Sequence, residues 1–172
     1  MPKSYKEMLH SVSAFVFELD GVLAANTVQF SAEGDFLRTV NTRDCYAIKA
    51  AKENGYQIFI ISEYSCEQVS IMLQQLEITG VYSGVANNVQ EIEKYLEIFK
   101  VNTNQVLFMG NDLVSYNFMK GAEFAACPQD AVPEIKAISH YISHKNGGNG
   151  AIRDVIEQVL KVHGKWMLKP IN

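Results

Sequence analysis

Three short stretches, Val12–Leu19, Gln57–Ile61 and Val106–Met109, are almost unbroken apolar runs rich in Val, Ile and Phe. A strand with one wet face alternates apolar and polar residues, so uninterrupted runs of this length fit strands covered on both faces. Helical patterns lie between and after them. Asn41-Thr42-Arg43-Asp44 opens one that closes at Asn54-Gly55, a second covers about Ser65 to Leu76, and a third runs from Asn87-Asn88 to Phe99. Val81-Tyr82 and Phe124–Ala126 read as shorter strands, and Asp130–Glu134 opens a further helix. A last amphipathic helix, about Ala151 to Val162, places Ile152, Val155, Ile156 and Val159 on one face. Strands alternating with helical segments predict an α/β fold, Rossmann-like, with a mostly parallel sheet and helices on both faces.

The first run ends in Glu18-Leu19-Asp20-Gly21-Val22-Leu23. Strand residues alternate faces, so Glu18 and Asp20 are expected on one side at the carboxyl end, where open α/β sheets bind ligands. Two carboxylates there can hold a hard cation or divide nucleophile and acid duties. An acidic strand end facing water is the plain alternative. From Gly21 to Val40 the pattern shifts to short hairpin-like pieces around Ala32-Glu33-Gly34-Asp35, whose apolar residues make the insert an expected oligomer contact.

Length and composition narrow the rest. One domain over residues 1–172 is expected, with the hairpin at about 22–40 and a Gly-rich loop and helix at about 147–163. The net charge is −4 and there is no dense Lys/Arg run, which argues against nucleic-acid binding. No apolar stretch reaches the roughly 20 residues of a membrane span. Cys45, Cys66 and Cys127 lack any C-x-x-C spacing and read as small hydrophobes of a reducing compartment. The expected location is therefore cytoplasmic. His10, His140, His144 and His163 are dispersed and suggest no metal cluster.

Glu18-Leu19-Asp20-Gly21-Val22-Leu23 resembles the first motif of the haloacid dehalogenase superfamily, usually D-x-D-G-x-L. A strand ending in Ser62, the Asn88 region and Gly110-Asn111-Asp112 follow in superfamily order. More closely, the chain resembles the 3-deoxy-D-manno-octulosonate 8-phosphate phosphatases. Asn41–Ile48 is similar to their N-x-R-D-G-x-G-I stretch, Val81–Gly84 to a Y-x-G turn, and Gly147–Arg153 to G-G-x-G-A-x-R. The resemblance implies a Rossmann-like sheet without a separate cap domain and a homotetramer built partly from the hairpin. It implies a sugar or sugar-phosphate ligand and Mg²⁺-dependent hydrolysis of a phosphate ester. By that resemblance the Glu18 position is the nucleophile and Asp20 the acid/base. Ser62 and Asn88 fall at phosphate-contact positions, and Glu18, Asp20, Asn111 and Asp112 at metal positions.

The chain departs from the pattern where the chemistry occurs. Glu18 replaces Asp, and a displacement of about 1 Å in such a group costs on the order of 10²-fold in rate. Asn88 stands where the family carries a phosphate-binding Lys, Asn111 and Ser115 stand for acids, Glu63-Tyr64 replaces G-R, and Met72 stands for a substrate-facing Arg. Phosphoryl transfer relies on positioning and charge neutralisation, so these losses predict an impaired or inactive site in an oligomeric binding or regulatory protein. The alternative is a divergent but active Mg²⁺-dependent hydrolase of an octulosonate, nonulosonate or related sugar phosphate. A third reading makes the pocket acidic through Glu18, Asp20, Glu63 and Asp112, suited to a cationic or neutral sugar. Local structural roles are also open: Asp20 in a turn, Ser62 and Asp112 as caps, and Arg43-Asp44 as an ion pair or helix start.

Overall fold

The structure is a computed structural model that describes residues 4–64, 69–84 and 89–166. Six strands form one sheet in the order β5-β4-β1-β6-β7-β8, and every neighbouring pair is parallel. These are β1 (Ala14–Glu18), β4 (Gln57–Ser62), β5 (Gly80–Ser83), β6 (Val106–Met109), β7 (Phe124–Cys127) and β8 (Tyr141–Ile142). A separate antiparallel ribbon pairs β2 (Gln29–Phe30) with β3 (Phe36–Leu37), as the hairpin pattern predicts.

The uninterrupted apolar runs are explained by two cores. Phe15 and Phe17 of β1 face α1 (Tyr5–Leu9), α2 (Thr42–Glu53), α3 (Ser70–Gln75) and α7 (Ala151–Val162). Ala14 and Val16 face the opposite side, toward α4 (Val89–Ile98), α5 (Tyr116–Gly121) and α6 (Pro133–Ile138). Period-two alternation therefore sends Glu18 to the α4–α6 side, where it is buried.

Two elements add to the sequence reading. The amino-terminal segment contains a one-turn helix closed by a capping box between Ser4 and Glu7. Strand β8 is only two residues long and sits at the sheet edge beyond β7. The second predicted helix is shorter than its pattern: α3 begins at Ser70, and residues 65–68 lie outside the described residues.

Asp44 is neither paired with Arg43 nor only part of a helix start. It is fully buried, and its carboxylate accepts from the backbone N–H of Gly150 (2.9 Å) and of Arg153 (2.7 Å). The side chain of α2 thus supplies the N-terminal cap that Gly150 cannot give α7. Burial pushes the Asp44 carboxyl up, and the two N–H donors oppose that shift. Asp44→Asn keeps one acceptor and turns an amide donor toward a second N–H. It is expected to cost about 1–2 kcal/mol by urea denaturation, with the far-ultraviolet helical signal retained below the transition.

Candidate functional site

The topology fixes the place. The chain leaves β1 for β4 and β5 on one side and returns to β6 on the other, so the order reverses at β1/β6. Ligands of open α/β sheets bind outside the carboxyl ends of the strands at such a switch point. Glu18 ends β1 there, Gly110-Asn111-Asp112 follows β6, and Ser62 ends β4.

Glu18 is 8% exposed, and its Oε2 accepts from the Asn111 backbone N–H and from the Ser115 hydroxyl, both at 2.9 Å. Desolvation is the largest influence on this carboxyl. Together with the nearby Asp112 charge, it outweighs those hydrogen bonds and pushes the pKa up to about 7. Ser115 is itself fully buried and occupies the position where the resemblance expects an acid. A hydroxyl donor there satisfies Glu18 from within the protein.

Asp20 has a different partner. Past Glu18 the chain turns through Gly21, with φ +83°, a conformation that favours glycine. A Cβ on Gly21 would also lie 1.8 Å from the Asn111 amide nitrogen, so the Asn111 side chain rests directly on the turn. Beyond it the Asp20 carboxylate receives Arg38 in a fork, Nε at 2.6 Å and the second guanidinium nitrogen at 3.1 Å. The Arg38 side chain is 6% exposed and that of Asp20 33%. Arg38 follows β3, so the hairpin insert supplies a buried cation to the acid/base position. Sequence reading singled out no role for Arg38. Its signal is that it alone among residues 22–40 is Lys or Arg.

The remaining predicted residues take local roles. The Ser62 oxygen accepts from the Tyr64 N–H at 3.3 Å and closes the turn after β4. Asp112 caps the short turn at Leu113–Ser115, its carboxylate accepting from the Leu113 N–H at 2.7 Å. Asn88 lies outside the described residues. Glu18 and Asp20, expected to act together, are engaged by the segment after β6 and by the hairpin respectively.

The four positions implied for Mg²⁺ do not form a ligand shell as arranged. Mg²⁺ requires near-octahedral oxygen donors, largely carboxylate and water. Here the Glu18 carboxylate is held by N–H and O–H donors and that of Asp112 caps a turn, while Asn111 contributes no charge and Asp20 would offer only its backbone carbonyl. Among the described residues no three His, Cys, Asp or Glu side chains converge as a metal site. None of the described helices is long and apolar enough to cross a membrane.

A cavity of about 520 Å³ opens over the Asp20–Arg38 pair, bounded by the loop after β1, by the hairpin and by Tyr64 beyond β4. Glu18, Glu63 and Asp112 do not line it. Among the described residues the charged groups at its wall are one acid and one base, Asp20 and Arg38, bonded to each other, and not the four acids expected from sequence. On the far side, the glycine loop packs onto this region, with the Gly148 N–H donating to the Val22 carbonyl at 2.8 Å.

No protein-family model matches the chain. Curated proteins named 3-deoxy-D-manno-octulosonate 8-phosphate phosphatase KdsC, from Salmonella typhi and Escherichia coli K12, are 26% identical over 155 residues. That alignment covers 90% of this chain and 82% of theirs. Among solved structures, a putative phosphatase of the same name from Vibrio cholerae has a TM-score of 0.89 and 25% identity, covering 95% of this chain and 92% of that one. The Moraxella catarrhalis phosphatase, solved with magnesium, phosphate and KDO, has a TM-score of 0.87 at 23% identity, covering 92% and 91%. A cobalt-bound form from Haemophilus influenzae has a TM-score of 0.86 at 20% identity, covering 91% and 92%. The chain resembles these phosphatases in sequence and shares their Rossmann-like α/β fold.

Proposed function

We propose that this chain, acting as one haloacid-dehalogenase-like domain, has the scaffold of a sugar-phosphate phosphatase but has lost efficient phosphomonoester hydrolysis. It works instead as an oligomeric binding or regulatory protein. The observation that carries this reading is the engagement of both acids. The nucleophile position gives its carboxylate to Asn111 N–H and Ser115 O–H, and the acid/base position gives its own to Arg38. A carboxyl with pKa raised to about 7 is also half protonated at neutral pH and correspondingly less nucleophilic. Asp20, with both carboxylate oxygens on Arg38, must give up that fork to engage a leaving oxygen.

The cation balance supports the same conclusion. Among the described residues Arg38 is the one cation that lines the cavity, and its guanidinium is already forked by Asp20. Loss of a single preorganised electrostatic contact lowers a rate by about 10²–10³. The test is hydrolysis of 3-deoxy-D-manno-octulosonate 8-phosphate and of a generic aryl phosphate by purified protein with Mg²⁺. The expected result is no turnover above that of the Asp20→Asn variant. Mg²⁺-dependent hydrolysis that disappears in Asp20→Asn would overturn the proposal and favour the divergent-phosphatase reading.

The hairpin supports the oligomeric part. Phe30 is 68% exposed and Leu37 51%, on opposite faces of a two-stranded ribbon, since Phe30 pairs with Phe36 and Gln29 with Leu37. Apolar side chains on both faces of an isolated ribbon fit contact with further copies of the chain, a tetramer by resemblance. Replacing Phe30 and Leu37 together by Ser is expected to reduce the mass measured by light scattering to that of the monomer. The variant should keep its circular dichroism, because neither side chain belongs to the two buried cores.

A further inference from the structure

We infer that the 520 Å³ cavity over the Asp20–Arg38 pair is the binding site for an uncharged, unphosphorylated sugar ring, held without a metal ion. The inference rests on the reading that the chain binds rather than hydrolyses.

Charge comes first. Among the described residues the charged groups lining the cavity are Asp20 and Arg38, which neutralise each other through two hydrogen bonds of 2.6 and 3.1 Å. A phosphorylated ligand must either compete with Asp20 for Arg38, whose side chain is only 6% exposed, or enter beside the Asp20 carboxylate. Each route leaves one of the charges without its match, which is costly at a buried site. A cationic ligand meets the converse difficulty, because Arg38 already occupies the acid.

The walls then select among neutral ligands. Val28, Phe36 and Tyr64 supply apolar and aromatic surface to the same cavity that Asp20 and Asn26 line with hydrogen-bonding groups. Phe36 is braced by Phe30 across the ribbon, ring centroids 5.0 Å apart. A sugar ring presents a C–H face to aromatic surface and a rim of hydroxyls to planar acceptors and amides. Asp20 retains acceptor capacity for that rim. Each carboxylate oxygen has two lone pairs, Arg38 takes one on each, and a third of the Asp20 side chain remains exposed. The volume falls within the roughly 300–1,000 Å³ of small-ligand sites.

The direct test is binding to full-length, EDTA-treated protein by isothermal titration and thermal shift. The probes are D-mannose, D-galactose and N-acetyl-D-glucosamine, with mannose 6-phosphate, N-acetylglucosamine 6-phosphate and inorganic phosphate. At least one neutral sugar is expected to bind with Kd below about 1 mM and to raise the Tm, and its 6-phosphate to bind about 10-fold more weakly or worse. Tyr64→Ala should weaken the sugar about 10-fold, with the Tm of the free variant measured alongside as the baseline for its ligand-induced shift. The inference is overturned if none of the neutral sugars binds, if a phosphorylated form binds as tightly as its parent, or if binding is indifferent to Tyr64→Ala. Those outcomes leave the loss of hydrolysis standing, which only the phosphatase assay can overturn.

Discussion

Glu18→Gln is expected to raise the stability of this protein by about 3 kcal/mol at pH 8, with the gain shrinking to within about 1 kcal/mol at pH 5. The cause is the raised pKa of the Glu18 carboxyl, about 7 in the folded chain against 4.5 unfolded. Between those values the folded state holds a proton that the unfolded state has released. The stability this carboxyl contributes is therefore complete below pH 4.5 and is lost as the pH rises through about 7. Above that, the native state carries an ionised group in a site that is 8% exposed. Glutamine has nearly the same shape and keeps an oxygen for the Asn111 N–H or the Ser115 hydroxyl, but cannot ionise. Urea denaturation of both proteins at pH 5 and pH 8 measures the effect. A difference independent of pH would show that Glu18 does not titrate in this window.

The second large effect is expected far away in sequence. A Cβ on Gly147 would lie 1.7 Å from the Gly21 carbonyl oxygen and 2.5 Å from its carbon, and neither can move without the turn that follows Glu18. Gly147→Ala should therefore push the glycine loop off that turn, breaking the bonds from Gly147 N–H to Asp130 (2.9 Å) and from Gly148 N–H to Val22 (2.8 Å). The expected cost is about 3 kcal/mol or more, by calorimetry or denaturant melting. Gly55→Ala is the contrast. Its φ of +85° makes alanine strained, but nothing lies within 4 Å, so only about 1 kcal/mol should be lost. Equal losses in the two variants would mean that the loop yields freely.

The strands of the sheet were readable because burial on both faces leaves continuous apolar runs, and β1, β4 and β6 fall where those runs do. Strand β8 was not, because two residues, Tyr141 and Ile142, carry no period. Helix α1 had a readable signal in the Ser4-x-x-Glu7 capping box. At the site, residue types and order were legible at Glu18, Asp20, Ser62 and Asp112, and so was the capping alternative for the last two. Their partners were not. Arg38 reaches Asp20 across 18 residues, Ser115 reaches Glu18 across 97, and Asp44 reaches Gly150 across 106. Periodicity describes neighbours along a chain, whereas these bonds depend on which elements the fold brings side by side. That is why the acid read at Asp20 carried no sign that Arg38 would be bonded to it.

The cap that Asp44 lends to α7 also sets an order of events during synthesis. Helix α7 covers the Phe15 and Phe17 face of β1 and takes its first-turn acceptor from a residue made more than 100 positions earlier. Until α7 has left the ribosome, that face of the central strand has only α1, α2 and α3 for cover, and until Arg153 has emerged the Asp44 carboxylate lacks its donors. Contacts of such long sequence separation are slow to close and leave apolar surface exposed meanwhile. Nascent chains stalled before residue 150 should accordingly bind chaperones and resist compaction, whereas chains released past residue 162 should fold in one cooperative step.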